Sequence, residues 1–252
     1  MEKGDDMKLL ETIGLTISFG GLVALDEVNF SLGKGELRGI IGPNGAGKTT
    51  FFNVITGHLK PTKGKTFLDG EDISGLPPHT ISQKGISRTF QITNIFPEMT
   101  VHESIWAGLN SRTKQPWNPF VRADTIGGIS RKAEEICQLV GLSDKMNQIS
   151  ENLSHGDQRV LEIAIALSTD PILLLLDEPT QGVSPKEIDN LLEVIEKVSH
   201  MTTTILIEHD MTIVLSVSNA ITVFNEGRII AGGSPSEISE SEEVQKIYLG
   251  IG

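Results

Sequence analysis

Eight consecutive residues constrain this chain more than any others: Gly42, Pro43, Asn44, Gly45, Ala46, Gly47, Lys48 and Thr49, with Thr50 following. The apolar run at 37–41 leads into them, and residues 48–56 have helical composition, so the segment reads as strand, glycine-rich loop, helix. Glycines let the backbone turn tightly enough for successive amide N–H groups to point inward, and the positive end of the helix dipole reinforces the nest they form. Such a nest takes phosphate. Lys48 adds a mobile positive charge for the β- and γ-phosphates of a nucleotide, and the Thr49 hydroxyl adds a ligand for Mg²⁺. The pattern arises by chance in roughly one chain in a hundred of this length, and the strand–helix setting lowers that further.

A second signal sits far along the chain. Residues 172–176 form a continuous apolar run of strand length, as expected of a strand buried on both faces of a parallel sheet, and the run ends on Asp177 and Glu178. Open α/β sheets place their ligands at the carboxyl ends of their strands. Asp177 is therefore the candidate metal carboxylate, and Glu178 the candidate base for an attacking water, a role commonly worth ~10²- to 10⁴-fold in rate.

Around these signals the pattern alternates between strand and helix. Strands are predicted at 28–32, 65–68, 86–90 and 203–207, with a hairpin over 220–231 turning at Glu226 and Gly227. Helices are predicted near 79–84, where Gly85 supplies the stop, and at 157–167 and 186–200. From about Ile92 the strand signals vanish. Thr100 and Glu103 form a capping box before Ile105, Trp106 and Leu109, and a second helix over 133–140 ends at Gly141. Residues 110–128, which include Trp117 and Phe120, read as a long connection with apolar anchors. The class is α/β, with a core over 1–91 and 153–252 and a helical subdomain inserted at 92–152.

Composition narrows the function. A net charge of -12 repels phosphate backbones and acidic lipid surfaces, so a general nucleic-acid binder is excluded. The single cysteine, Cys137, suits a reducing compartment. Residues 1–12 carry charges where a secretory signal needs an apolar stretch, and no segment approaches the ~18 apolar residues of a membrane span. Work at a membrane would require a partner that crosses it.

Leu153, Ser154, His155, Gly156, Asp157, Gln158 and Arg159, shortly before the buried strand, resemble the signature peptide of the ABC ATPases. That resemblance implies that Ser154 and Gly156 bind the γ-phosphate of ATP held by the other member of a head-to-tail dimer. His155 and Asp157 depart from the commonest pattern, which has glycine and glutamine there. By the same resemblance Gln91 contacts Mg²⁺ or the lytic water, His209 contacts the γ-phosphate, and Phe19 stacks on adenine. Ser184 stands where the loop crossing the dimer interface usually has aspartate.

The segments 85–91, 161–163, 207–211 and 248–250 narrow the likeness to the ATP-binding subunits of branched-chain amino acid importers. The fold this implies is a P-loop NTPase core of ABC type with an antiparallel β subdomain and a helical subdomain. The implied cofactors are ATP and Mg²⁺. The implied partners are transmembrane permease subunits, a second copy or related ATPase, and indirectly a solute-binding protein, with the chain peripheral on the inner face of the cell membrane. An exporter subunit of the lipopolysaccharide type and a soluble non-transport ABC ATPase stand as the alternatives.

Overall fold

The computed structural model describes residues 8–89, 95–111 and 128–249. The expected site residue Gln91, together with Phe90, Ile92, Trp117 and Phe120, lies outside them. In chain order the first elements are β1 (Lys8–Phe19), β2 (Leu22–Gly33), β3 (Leu37–Ile41), α1 (Lys48–Ile55), β4 (Lys63–Leu68), β5 (Glu71–Asp72), α2 (Pro78–Gln83) and β6 (Ile86–Arg88). Two helices follow, α3 (Val101–Ser111) and α4 (Ile129–Leu139). The chain continues through α5 (His155–Ser168), β7 (Leu173–Asp177), α6 (Pro185–Ser199), β8 (Thr203–Ile207), α7 (Met211–Val217), β9 (Ala220–Asn225), β10 (Arg228–Gly233), α8 (Pro235–Glu240) and α9 (Glu242–Leu249).

These strands form two sheets. One is antiparallel, in the order β2-β1-β4-β5. The other runs β10-β9-β3-β8-β7-β6, parallel from β9 to β6 with β10 added antiparallel at one edge.

The side-chain period of two explains why β7 has no polar residue before Asp177. Leu173 and Leu175 enter a core shared with α1 and the antiparallel sheet, whereas Leu174 and Leu176 enter a second core built from α3, α4, α5 and α6. β8 divides in the same way, with Ile205 and Ile207 on the first face and Leu206 on the second. Each leucine so buried contributes ~1.5–3 kcal/mol relative to exposure, which holds β7 between β8 and β6 with Asp177 at its carboxyl end.

Several bounds differ from the sequence reading for local reasons. β7 starts at Leu173 because Ile172 is 41% exposed and its N–H bonds the Gly85 carbonyl at 2.9 Å, outside the strand. α4 begins at Ile129, ahead of the expected 133. α5 begins at His155, capped by the Ser154 hydroxyl, which accepts from the Asp157 N–H. The Thr100–Glu103 box forms as expected, with reciprocal bonds of 3.2 and 2.8 Å. Among the described residues no helix is long and apolar enough to cross a membrane.

Candidate nucleotide site

The strand–loop–helix unit forms as β3, a tight loop and α1. Gly42 has φ 156 and Gly47, the cap of α1, φ 101. A Cβ at Gly42 would meet the Phe224 carbonyl oxygen at 2.3 Å, and one at Gly47 would meet the Ala24 carbonyl oxygen at 2.8 Å. The loop is thus pressed against β9 and β2 at both ends, and only glycine fits there. Lys48 curls back over the loop, donating from Nζ to the carbonyls of Gly42 (2.5 Å) and Pro43 (3.1 Å). Burial lowers its pKa, against the opposing pull of Glu178 and Asp177 nearby.

A cleft of ≈ 590 Å³ opens over this loop. Asn44, Gly45, Ala46, Gly47, Lys48, Thr49, Thr50, Phe19 and Glu178 all line it, so residues scattered between positions 19 and 178 converge on one cavity. Phe19 is 50% exposed there beside Leu22 and Val23, which makes an apolar ledge at one end of a polar nest. Sequence reasoning missed Leu22 and Val23, because an exposed apolar residue at a turn carries no motif.

Asp177 is fully buried. Its Oδ2 accepts from Arg88 Nη2 at 2.7 Å, while Oδ1 has no hydrogen-bond partner among the described residues. An orphaned carboxylate oxygen close to Lys48, beneath a cleft that Thr49 lines, fits a hard divalent cation that takes oxygen ligands. Glu178 follows in the left-handed region, φ 49, with its N–H bonded to the Ile207 carbonyl at 2.9 Å. That strained backbone turns the side chain out into the cleft instead of continuing the strand.

His209 lies exposed beyond β8, its Nδ1 3.6 Å from the Glu208 carboxylate. Glu208 is itself buried, and its Oε1 accepts from the N–H and hydroxyl of Thr180 at 2.9 and 2.7 Å. It ties the segment after Glu178 to the segment carrying His209. Burial raises its pKa, Thr180 and His209 lower it, and Glu178 raises it further. The sequence reading gave Glu208 no role of its own, because that role depends on β7 and β8 being neighbours.

Ser154 and Gly156 do not line the cleft. They sit at the amino end of α5, where the Glu187 carboxylate of α6 occupies their surroundings. A Cβ at Gly156 would meet Glu187 Cβ at 2.8 Å. Hydrogen bonding from the Ser154 hydroxyl first, then from Ser184, holds the Glu187 carboxyl below its ordinary range. Two of the departures from the usual pattern, Asp157 in the signature and Ser184 in the interface loop, have partners in this chain. Asp157 Oδ2 takes Lys145 Nζ at 2.5 Å, and Ser184 Oγ donates to Glu187 at 2.5 Å.

The family model described as ABC transporter matches residues 25–181, from β2 to the segment after Glu178. The chain belongs to the ABC transporter family. Among its ABC relatives, the high-affinity branched-chain amino acid transport ATP-binding protein BraF of Pseudomonas aeruginosa is 41% identical over 249 residues, covering 96% of this chain and 98% of its own. LivG of Escherichia coli, with the same description, is 41% identical over 250 residues, covering 96% and 98%. The lipopolysaccharide export ATP-binding protein LptB of Haemophilus influenzae is 34% identical, covering 97% and 98%. The crystal structure of the ADP conformation of MJ1267, an ATP-binding cassette of an ABC transporter, superimposes with TM-score 0.84 at 33% identity, over 97% of this chain and 99% of that one. The α/β class and ABC-type architecture expected from sequence are those found.

Proposed function

We propose that this chain binds and hydrolyses ATP in a dimer and thereby drives uptake of branched-chain amino acids through a separate membrane permease. The observation that carries the catalytic part is the division of the site. The phosphate nest, Lys48, Thr49 and Glu178 line one cleft, with Asp177 buried close to Lys48, while Ser154 and Gly156 lie outside that cleft at the amino end of α5.

The loop amides from Gly42 to Thr50 and the Lys48 ammonium hold the phosphates, and Phe19 offers its ring to the base. Thr49 and Asp177 would hold Mg²⁺, which supplies charge neutralisation at the phosphates when bound. Glu178 takes a proton from water as the water oxygen bonds to the γ-phosphorus and the bond to the β–γ bridging oxygen breaks, leaving ADP and phosphate. His209 and Gln91 act at the γ-phosphate and the water. Ser154 and Gly156 of the second subunit close the site, so hydrolysis depends on the dimer.

The permease docks beside the helical subdomain, residues 92–152, and holds the chain at the inner face of the membrane. A groove of ≈ 480 Å³ lined by Ile81, Ile86, Ile95, Phe96 and Ile165 supports that placement. The amino acid substrate rests on full-length likeness at 41% to importer subunits against 34% to the exporter subunit. The test is transport into membrane vesicles containing this chain and the permeases encoded beside it, supplied with the cognate solute-binding protein. ATP-dependent accumulation of leucine, lost in Glu178→Gln, is expected. ATP-dependent extraction of lipopolysaccharide without leucine uptake would replace import with export.

A further inference from the structure

Arg88, the last residue of β6, is a buried cation that the reaction as described does not use. β6 lies beside β7 in parallel register, Arg88 opposite Leu175, which brings its side chain alongside the end of β7. Its guanidinium is shared among several partners, Thr56 Oγ1 at 3.4 Å among them. Nη2 donates to Asp177 Oδ2 at 2.7 Å, Nη1 donates to Asn53 Oδ1 of α1 at 2.7 Å, and the group lies 5.4 Å from the centre of the Phe52 ring. Arginine and aspartate are 7% and 1% exposed as a pair. The fork is fixed on α1 and does not depend on Asp177 to hold it in place.

The consequence for Asp177 is asymmetric. One carboxylate oxygen is occupied by a fixed donor, and the other has no hydrogen-bond partner among the described residues. We propose that Arg88 is a positioning residue for the metal carboxylate. By taking Oδ2 it fixes the plane of the Asp177 carboxylate and leaves Oδ1 as the single oxygen presented to Mg²⁺. The inference rests on the reading of Asp177 as a metal ligand given above. Outer partners that orient a ligand typically change metal affinity ~10- to 100-fold when removed. A simple charge argument predicts the reverse, because deleting a nearby cation reduces repulsion of the metal. The sign of the change therefore decides between the two.

The experiment titrates Mn²⁺, followed by its electron paramagnetic resonance signal, into the full chain saturated with ADP. Arg88→Met keeps the volume of the side chain, which also lines the groove beside Phe96. It is expected to weaken Mn²⁺ binding ~10-fold while ADP affinity measured in EDTA stays within about 2-fold of wild type. Arg88→Lys, which keeps the charge but not the fork, is expected to fall between the two. Should Arg88→Met not fold, Arg88→Lys decides alone by the same readout. Unchanged or tighter Mn²⁺ binding in a folded variant, whatever its melting temperature, would overturn the proposal and leave Arg88 as a core brace. Asp177→Asn separates the two layers: if it leaves Mn²⁺ affinity intact, the reading of Asp177 has failed, whereas loss in Asp177→Asn with no loss in the Arg88 variants defeats the positioning role alone.

Discussion

Glu208 shows how a site residue can be costly to the fold that holds it. Its folded-state pKa lies above the unfolded value, with burial the largest cause, so the folded chain holds that proton more tightly. Such a group favours folding at pH below the ordinary glutamate range and costs stability as pH rises through the raised value. Glu208→Gln keeps an acceptor for Thr180 and removes the charge. It should therefore raise the melting temperature by a few degrees at pH 8, with the gain vanishing near pH 4. Thermal scans at the two pH values check this, and a gain of equal size at both would assign it to packing instead of ionisation. Glu178 makes a contrasting prediction. Glu178→Gln should retain nucleotide affinity yet lose ~10²- to 10⁴-fold in phosphate release, because it removes a base and leaves the nest intact. The residues of the nest and the proposed metal carboxylate and base stood out in the sequence because each lies within a few contiguous residues. Arg88, Glu187 and Glu208 were not, since their partners Asp177, Ser154 and Thr180 are brought to them only by sheet order and helix packing.

Among the elements, α5 carries the signature peptide at one end and forms the floor for α3 at the other. The contact is close because α3 presents Gly108, where an added Cβ would lie 1.9 Å from Ser168 Oγ and 3.1 Å from the Ile165 carbonyl oxygen. Gly108→Ala should therefore destabilise by ~1–3 kcal/mol, partly offset by the ~1 kcal/mol that alanine gains over glycine in a helix. Combining it with Ser168→Ala should recover part of the loss, and a double-mutant cycle from denaturant unfolding measures the coupling. Strictly additive effects would mean that the two helices move apart freely. At this scale β3, β8 and the 220–231 hairpin were readable because their apolar runs are uninterrupted and bounded by turn residues. β1 was not read as a strand. Its register shifts between Thr12 and Leu15 and again between Leu15 and Ile17, and its adjacent Leu9 and Leu10 are both buried, so the alternation that signals a strand is broken. α7, α8 and α9 escaped for a different reason. Among the residues whose burial is described they bury Ile213, Val214, Ile238 and Val244, too few to impose a helical period.

For the molecule as a whole, the account requires a second subunit on one face and a permease on another. Phe96, 44% exposed on the groove, bears on the permease. Phe96→Asp should leave melting temperature and basal hydrolysis near wild type and abolish copurification with the permease, because its carboxylate would be buried unpaired at the contact. A marked fall in melting temperature would place Phe96 in the core instead. The central claim, that each ATP is hydrolysed between the nest of one chain and the signature of another, is tested most directly by mixing two inactive variants, Lys48→Ala and Ser154→Arg. In a mixed dimer one composite site carries both lesions and the other carries neither. Random pairing of equal amounts makes half the dimers mixed, so steady-state hydrolysis should return to roughly a quarter of wild type if an intact site turns over alone. Activity no greater than that of the two variants measured separately, in a mixture shown to contain mixed dimers, would contradict the account.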